Sequence, residues 1–400
     1  MASICLYLHA HQPFRIKKFS VFDIGHSHPY FDEERNRGYL ERIANKCYLP
    51  TIKILSDLIN GTNGKFKVSF SISGMLLEQL ENNNSEVIKQ FQNLVKTGNV
   101  ELIAETYYHS LAYLYSKEEF ENQIKKHTEK LKDLFDYEPK VFRNTELMFS
   151  NEMANCVQNM GYKGMLAEGA DHILGWRSPN FLYNVRTADN IKVLLRNYRL
   201  SDDISFRFSN RDWQEWPLTA EKFVHWLNRV NGNGEVVNLF MDFETFGEHQ
   251  WDVTGIFDFL RAFPYRVLDH PDNNFKTPSE LVNSYDARGE LDFHNIVTWA
   301  DTERDLSAWL GNQMQQSALR TLYTLEAPVI KSGDERIIDD WRKLQTSDHF
   351  YYMCTKWFAD GDVHKYFNPY ESPYECFISF MNIINDLKLR LNIKPDLIES

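Results

Sequence analysis

Short apolar runs recur along the chain, and most end in polar or ionisable residues. They lie at 4–9, 67–73, 102–107, 141–146, 164–169, 192–197 and 236–244. Between most of them, as over 40–58, 84–96 and 117–135, apolar positions repeat at helical spacing with Glu and Lys interleaved. Strands that alternate with helices predict a parallel sheet with helical crossovers. Seven candidate strands and no central glycine-rich nucleotide-binding turn favour an α/β fold with a closed or nearly closed, TIM-like barrel. In such barrels functional residues gather at the C-terminal ends of the strands, where the polar run ends fall. The pattern changes near residue 285. Segments 304–326, 336–344, 347–360 and 372–390 read as helices without β runs, so the expected division is a barrel over 1–285 and a C-terminal helical region over 286–400. Irregular pieces at 13–38, 171–190, 198–218 and 262–290 are too long for minimal connections and are expected to wall a cleft. G-T-N-G at 61–64 and N-G-N-G at 231–234 read as tight turns that precede strands.

Composition narrows the function. Hydrophobic residues at 43% and charged residues at 25% suit a globular chain, and aromatics reach 14%. Many of those rings belong in a core; others can offer flat faces to sugars in a wet groove. The net charge of −12 and the lack of a basic cluster argue against nucleic acid and anionic membranes as partners. Five widely spaced cysteines without C-x-x-C read as buried residues of a reducing compartment. The N-terminus, M-A-S-I-C-L-Y-L-H, reads as a strand and not a signal peptide, and no run reaches the ~18 apolar residues of a membrane span. A cytoplasmic protein is expected.

Chemistry concentrates at strand ends. In M-D-F-E-T-F-G-E-H-Q (241–250), Asp242 and Glu244 share a face of a strand end, and two close carboxyls raise each other's pKa, which can keep one protonated as a general acid. The alternative is a solvated acidic loop. In V-F-R-N-T-E-L (141–147), Arg143 near Glu146 can keep the carboxylate ionised, as a nucleophile requires, or can simply form a structural ion pair. Together Glu146 and Asp242 supply the two carboxyls of glycoside hydrolysis. His9 and His11 in H-A-H-Q-P-F (9–14) point to one side, and with His109 or Asp171 and His172 they can bind sugar hydroxyls, hold zinc or serve structure. The absence of H-x-D at the first strand counts against a zinc enzyme of the deacetylase type. His109 and Glu78 are further candidates for sugar contact, although Glu78 can equally start a helix. Trp176, Trp213, Trp216 and Phe246 are candidate stacking rings.

H-A-H-Q-P, S-G-M-L-L-E-Q, F-R-N-T-E-L and M-D-F-E-T-F-G resemble, in order, the first four conserved regions of glycoside hydrolase family 57, over roughly residues 1–320. The resemblance, closest to compact α-amylase-type members, implies a (β/α)7 barrel with a helical region and a retaining mechanism that needs no cofactor or metal. It puts the nucleophile on Glu146 and the acid/base on Asp242. It implies that His9 or His11, Glu78 and His109 contact sugar. Arg143, Glu244 and Phe246 lie within the same motifs. A fifth region at 301–312 would bring Asp305 and Trp309 to the cleft, although Trp309 also reads as helix core. The implied partner is an α-glucan or maltooligosaccharide. A 4-α-glucanotransferase or branching enzyme, and a non-catalytic glucan-binding protein, remain alternatives, and the sequence leaves the oligomeric state open.

Overall fold

The computed structural model describes residues 2–26, 28–356 and 368–394. A strand forms at or beside each apolar run: β1 (Ser3–Ala10), β2 (Val68–Ile72), β3 (Val100–Leu102), β4 (Val141–Arg143), β5 (Gly164–Glu168), β7 (Ala188–Arg196) and β8 (Val236–Asp242), although β3 precedes the expected 102–107 run and shares only Leu102 with it. Parallel ladders join them in the order β4–β5–β7–β8–β1–β2–β3. Every residue of β1 is buried, as expected of a strand covered on both faces. At the two ends of this order, β3 and β4 meet through one parallel bridge between Ala104 and Phe142. There Ala104 N donates to Val141 O (3.0 Å) and Arg143 N donates to Ala104 O (2.8 Å). The result is a mixed α/β fold with a barrel-like sheet and C-terminal helices.

Three short strands escape the sequence pattern: β6 (Tyr183–Val185), β9 (Asn274–Phe275) and β10 (Glu290–Leu291). β6 runs antiparallel to β7, inside a segment expected to be irregular. The turn between them is hard to read because it uses Thr187, at φ 72°, where glycine is the usual signal. The 198–218 segment likewise contains a helix, Tyr198–Ser205, whose first turn is capped by Asn197. The predicted 40–58 helix is interrupted by a wide turn at Ala44–Tyr48, and a second helix, Leu49–Gly61, starts with Pro50 where no backbone N–H is needed. The 117–135 helix matches its periodicity, and Ser116 caps it. In the last third, the predicted 304–326 helix divides into Ser307–Leu310 and Gln313–Thr324. Further helices span Glu326–Ser332, Glu335–Lys343 and Pro373–Arg390. The predicted 347–360 helix is helical only over Ser347–Tyr351, and its residues after 356 lie outside the described part.

Two large apolar clusters hold these layers together. One joins β1, β2 and β8 to the Leu49–Gly61 and Ile256–Leu268 helices. The other is continuous from Phe142, Met165 and Val193 on the strands to Trp309, Trp341 and Phe380 on the C-terminal helices. Of the five cysteines, all unpaired, Cys5, Cys47, Cys354 and Cys376 are buried and Cys156 is partly exposed. Among the described residues, no helix is long and apolar enough to cross a membrane.

Candidate active site

Sheet register assembles the site. In the parallel ladders, His9 is paired with Asp242 on β8 and with Ser71 on β2, so the first strand delivers its histidine between two neighbours. His9 Nδ1 lies 3.6 Å from Asp242 Oδ1, and its Nε2 lies 3.2 Å from Oε2 of Glu105. Glu105 follows β3 and is fully buried. The same Oε2 is 3.4 Å from His109 Nδ1, and His109 Nε2 is 3.1 Å from Glu146 Oε1. A continuous polar chain therefore runs Asp242–His9–Glu105–His109–Glu146. The rings of His9, His11 and His109 stack, with centroids 4.1 Å apart for His11 and His109 and 4.9 Å for His9 and His109.

Glu146 follows β4 on left-handed backbone at φ 56°, and Leu147 after it has φ 51°. Its Oε2 accepts a 2.7 Å hydrogen bond from Trp299 Nε1. Burial opposes its charge, but the hydrogen bond and charge of His109, then Arg143 and Trp299, hold the carboxyl below its ordinary value. His109 moves the other way. Burial disfavours its cation, yet the hydrogen bonds to Glu105 and Glu146 prevail and raise it to about 9. At neutral pH the pair is an imidazolium beside a carboxylate.

Asp242 keeps an open face, with its side chain 42% exposed. Burial of the remainder pushes its pKa up, but His9, His249 and Arg143 outweigh that and hold it low. The proton of the Asp242–Glu244 pair therefore resides on Glu244, which burial and then the charge of Asp242 raise to about 8. Glu244 Oε1 accepts from Tyr48 Oη at 2.5 Å and from the backbone N of His11 at 3.4 Å.

His11 reaches across to the C-terminal helices. Its Nδ1 meets Ser73 Oγ (2.8 Å) and its Nε2 meets Asp348 Oδ2 (2.9 Å). Burial, then the neighbouring His109 charge, lowers its pKa to about 4, although Asp348 opposes them. Asp348 is seated where the segment after β3 pairs with the C-terminal region: Ser347 N donates to His109 O at 2.9 Å, beside a bridge between Ser110 and Thr346. Two donor sets have a composition that suits a metal: His9, Glu105 and His109, and His11, His109 and Asp348. In the first, Arg143 Nη1 already lies 3.4 Å from His9 Nε2, 3.5 Å from His109 Nδ1 and 3.8 Å from Glu105 Oε2. That fixed cation opposes a second one among the same atoms. The second set shares His109, whose two nitrogens both face carboxylates.

Residues 5–294 match Glycosyl hydrolase family 57. The chain belongs to that family. It is similar to a Methanocaldococcus jannaschii protein named "Putative alpha-amylase", at 44% identity over 391 residues, covering 94% of this chain and 82% of that protein. Among solved structures, the 4-alpha-glucanotransferase of Thermococcus litoralis superposes with a TM-score of 0.70 at 16% identity, covering 97% of this chain and 59% of that one. A branching enzyme of the same family from Pyrococcus horikoshii also gives 0.70, at 13% identity, covering 98% of this chain and 95% of that one. At these identities the two superpositions speak for the fold alone.

Within this family 57 chain, the structure brings together His9, His11, His109, Arg143, Glu146, Asp242 and Glu244, and it separates others. Phe246 and Trp309 lie in the two apolar clusters, each 1% exposed, so neither ring has a face to offer a sugar. Asp305 is exposed, but its Oδ1 accepts from Ser307 N at 2.8 Å and serves a local turn. Glu78 sits within the helix Gly74–Asn83, 2.7 Å from Lys343 Nζ. Arg143 has Glu105 as its ion partner, not Glu146. Asp171 meets Tyr198 and Arg199, away from the histidines, as is clear from partners that lie on the next strand–helix junction. Trp176 is exposed, Trp216 partly so, and Trp213 packs on Trp226. The sequence pattern passed over Glu105, Trp299 and Asp348. Glu105 had a signal, an acid closing an apolar run in L-I-A-E-T-Y; Trp299 and Asp348 lie in helical or irregular surroundings with none.

Proposed function

We propose that this family 57 chain is a retaining glycoside hydrolase acting on α-1,4-glucans, with Glu146 as nucleophile and Asp242 as acid/base. The observation that carries the reading is the asymmetry of the two carboxyls joined through the histidines. Glu146 is half-buried, with its side chain 22% exposed, and is held ionised by His109 and Trp299, whereas Asp242, at 42%, keeps a more open face. The alpha-amylase and glucanotransferase names of the similar proteins support an α-glucan as substrate. In this mechanism Asp242 protonates the glycosidic oxygen as Glu146 attacks the anomeric carbon, giving a covalent glycosyl-enzyme. Asp242 then takes the proton of the incoming water, whose oxygen displaces Glu146 with net retention. Because free Asp242 is ionised, the seated sugar must first exclude water from its open face and so raise its pKa.

The same reading takes the sheet as a (β/α)7 barrel closed at the Ala104–Phe142 bridge over 1–285, with 286–400 as a helical region that contributes Asp348. The test is a product profile from maltoheptaose with the wild-type protein, Glu146→Gln and Asp242→Asn. Shorter sugars alone, lost in both variants, are expected. Products longer than the substrate would replace hydrolysis by transfer. Binding without turnover in the wild type would make the chain a glucan-binding protein.

A further inference from the structure

We propose that Glu105 is a positioning residue that holds His9 and His109 against the two catalytic carboxyls and, through His109, keeps the nucleophile charged; this rests on the roles assigned above to Glu146 and Asp242. Three donors converge on its Oε2: His9 Nε2 at 3.2 Å, His109 Nδ1 at 3.4 Å and Arg143 Nη1 at 3.8 Å. Its Oε1 has no hydrogen-bond partner among the described residues. A carboxylate kept in the core only to neutralise Arg143 would accept directly from the guanidinium fork. Here Arg143 is the most distant of the three donors, and among the described residues its Nε and Nη2 are without hydrogen-bond partners. The short contacts go to the histidines.

The backbone of Glu105 is fixed as well. Its N–H donates to His127 Nδ1 (3.2 Å), and His127 Nε2 lies 2.9 Å from Ile72 O. Since a carbonyl can only accept, Nε2 carries the hydrogen and Nδ1 offers its lone pair, the neutral form that burial also favours. Thus a histidine from the Lys117–Phe135 helix, tied to the end of β2, sets where the carboxylate of Glu105 can reach. Losing that negative charge leaves His109 Nδ1 only a neutral acceptor and so weakens one of the two hydrogen bonds that raise the pKa of His109. The remaining groups around the pair are Tyr7 on the first strand and His11 just after it, Arg143 at the end of the fourth and Glu146 beyond it, and Asp348 opposite His11. None of these supplies a second acceptor to His109 Nδ1 among the hydrogen bonds of the described residues.

The experiment compares the wild type, Glu105→Gln and Glu146→Gln by pH profile on a maltooligosaccharide and by nitrogen-15 NMR titration of His109. In Glu105→Gln, the His109 ring is expected to lose its proton about one pH unit or more below the wild type. The alkaline limb of kcat/KM should move down with it, and kcat should fall roughly 10²-fold while KM changes little. An unchanged His109 titration with an unchanged alkaline limb overturns the proposal. If Glu105→Gln does not fold, the wild-type titration decides: a His109 ring already neutral at pH 7 overturns it, and a charged one supports it. Full turnover in Glu146→Gln would instead sink the catalytic reading, while the His109 titration would still judge Glu105.

Discussion

His109 and Glu146 share more than a hydrogen bond: both are non-glycine residues on left-handed backbone, at φ 48° and 56°. Each such residue costs on the order of 1 kcal/mol or more, and the surrounding contacts must hold it there. Trp299 is one of those contacts, with its indole N–H on Glu146 Oε2 and its backbone N donating to Glu146 O at 3.2 Å. Replacing it by Phe removes a hydrogen bond that favours the carboxylate. The pKa of Glu146 should rise, so the acid limb of the kcat/KM profile should move to higher pH by about one unit, with activity down about tenfold near neutrality. An unmoved acid limb would show that the indole does not tune Glu146. Glu244 gives a stability prediction. Its folded pKa, about 8, lies above the unfolded value near 4.3, so the folded state binds more protons in between. Its stabilising contribution is therefore full below about pH 4.3 and is lost as pH rises through about 8. Glu244→Gln, which keeps an acceptor for Tyr48, should be more stable than the wild type at pH 9 by about 5 kcal/mol, and the gap should close towards pH 5. Urea unfolding at the two pH values measures it; equal gaps at both would mean that Glu244 is not held neutral. At this scale the sequence showed the residues with strand-end positions, and it hid those whose importance comes from contacts more than 150 positions away, as between Glu146 and Trp299 or His11 and Asp348.

At the scale of elements, legibility followed periodicity and punctuation. The 117–135 helix was readable because an apolar stripe and Ser116 mark it, whereas the β6–β7 turn carries Thr187 in place of a glycine. The 40–58 pattern kept its apolar positions through the wide turn at Ala44–Tyr48, so hydrophobicity alone did not reveal the break. Phe246 lies in the core, not in a groove, and Trp309 takes the core position that its helical pattern also allowed, because an aromatic residue beside a polar motif has the same pattern whether its ring faces a groove or the core. Ser116 tests whether the cap matters. Its Oγ accepts from Glu119 N at 3.1 Å and donates to Glu326 Oε1 at 2.6 Å, joining the helix to the C-terminal region. Ser116→Ala should cost about 1–2 kcal/mol in chemical denaturation while kcat/KM stays within about twofold. No measurable loss would mean that water or Glu326 replaces the cap.

For the molecule as a whole, the second apolar cluster spans strands and C-terminal helices, so the last third of the chain is built into the same core as β4, β5 and β7. Trp341 lies in it, fully buried, with its indole N–H donated to Leu322 O at 2.9 Å. Trp341→Ala should destabilise the protein by about 3–5 kcal/mol and lower Tm in a single transition. A two-step melt in which only the helical part loosens first would contradict a shared core. The contact between His11 and Asp348 has a consequence for biosynthesis. A ribosome releases residue 11 long before residue 348, and a nascent chain already carries Glu146 and Asp242 while the acid that faces His11 is still unmade. Until the Ser347–Tyr351 helix docks beside Ser110, the three stacked histidines have one side open, so the site is finished only by a helix made about 200 residues after Glu146.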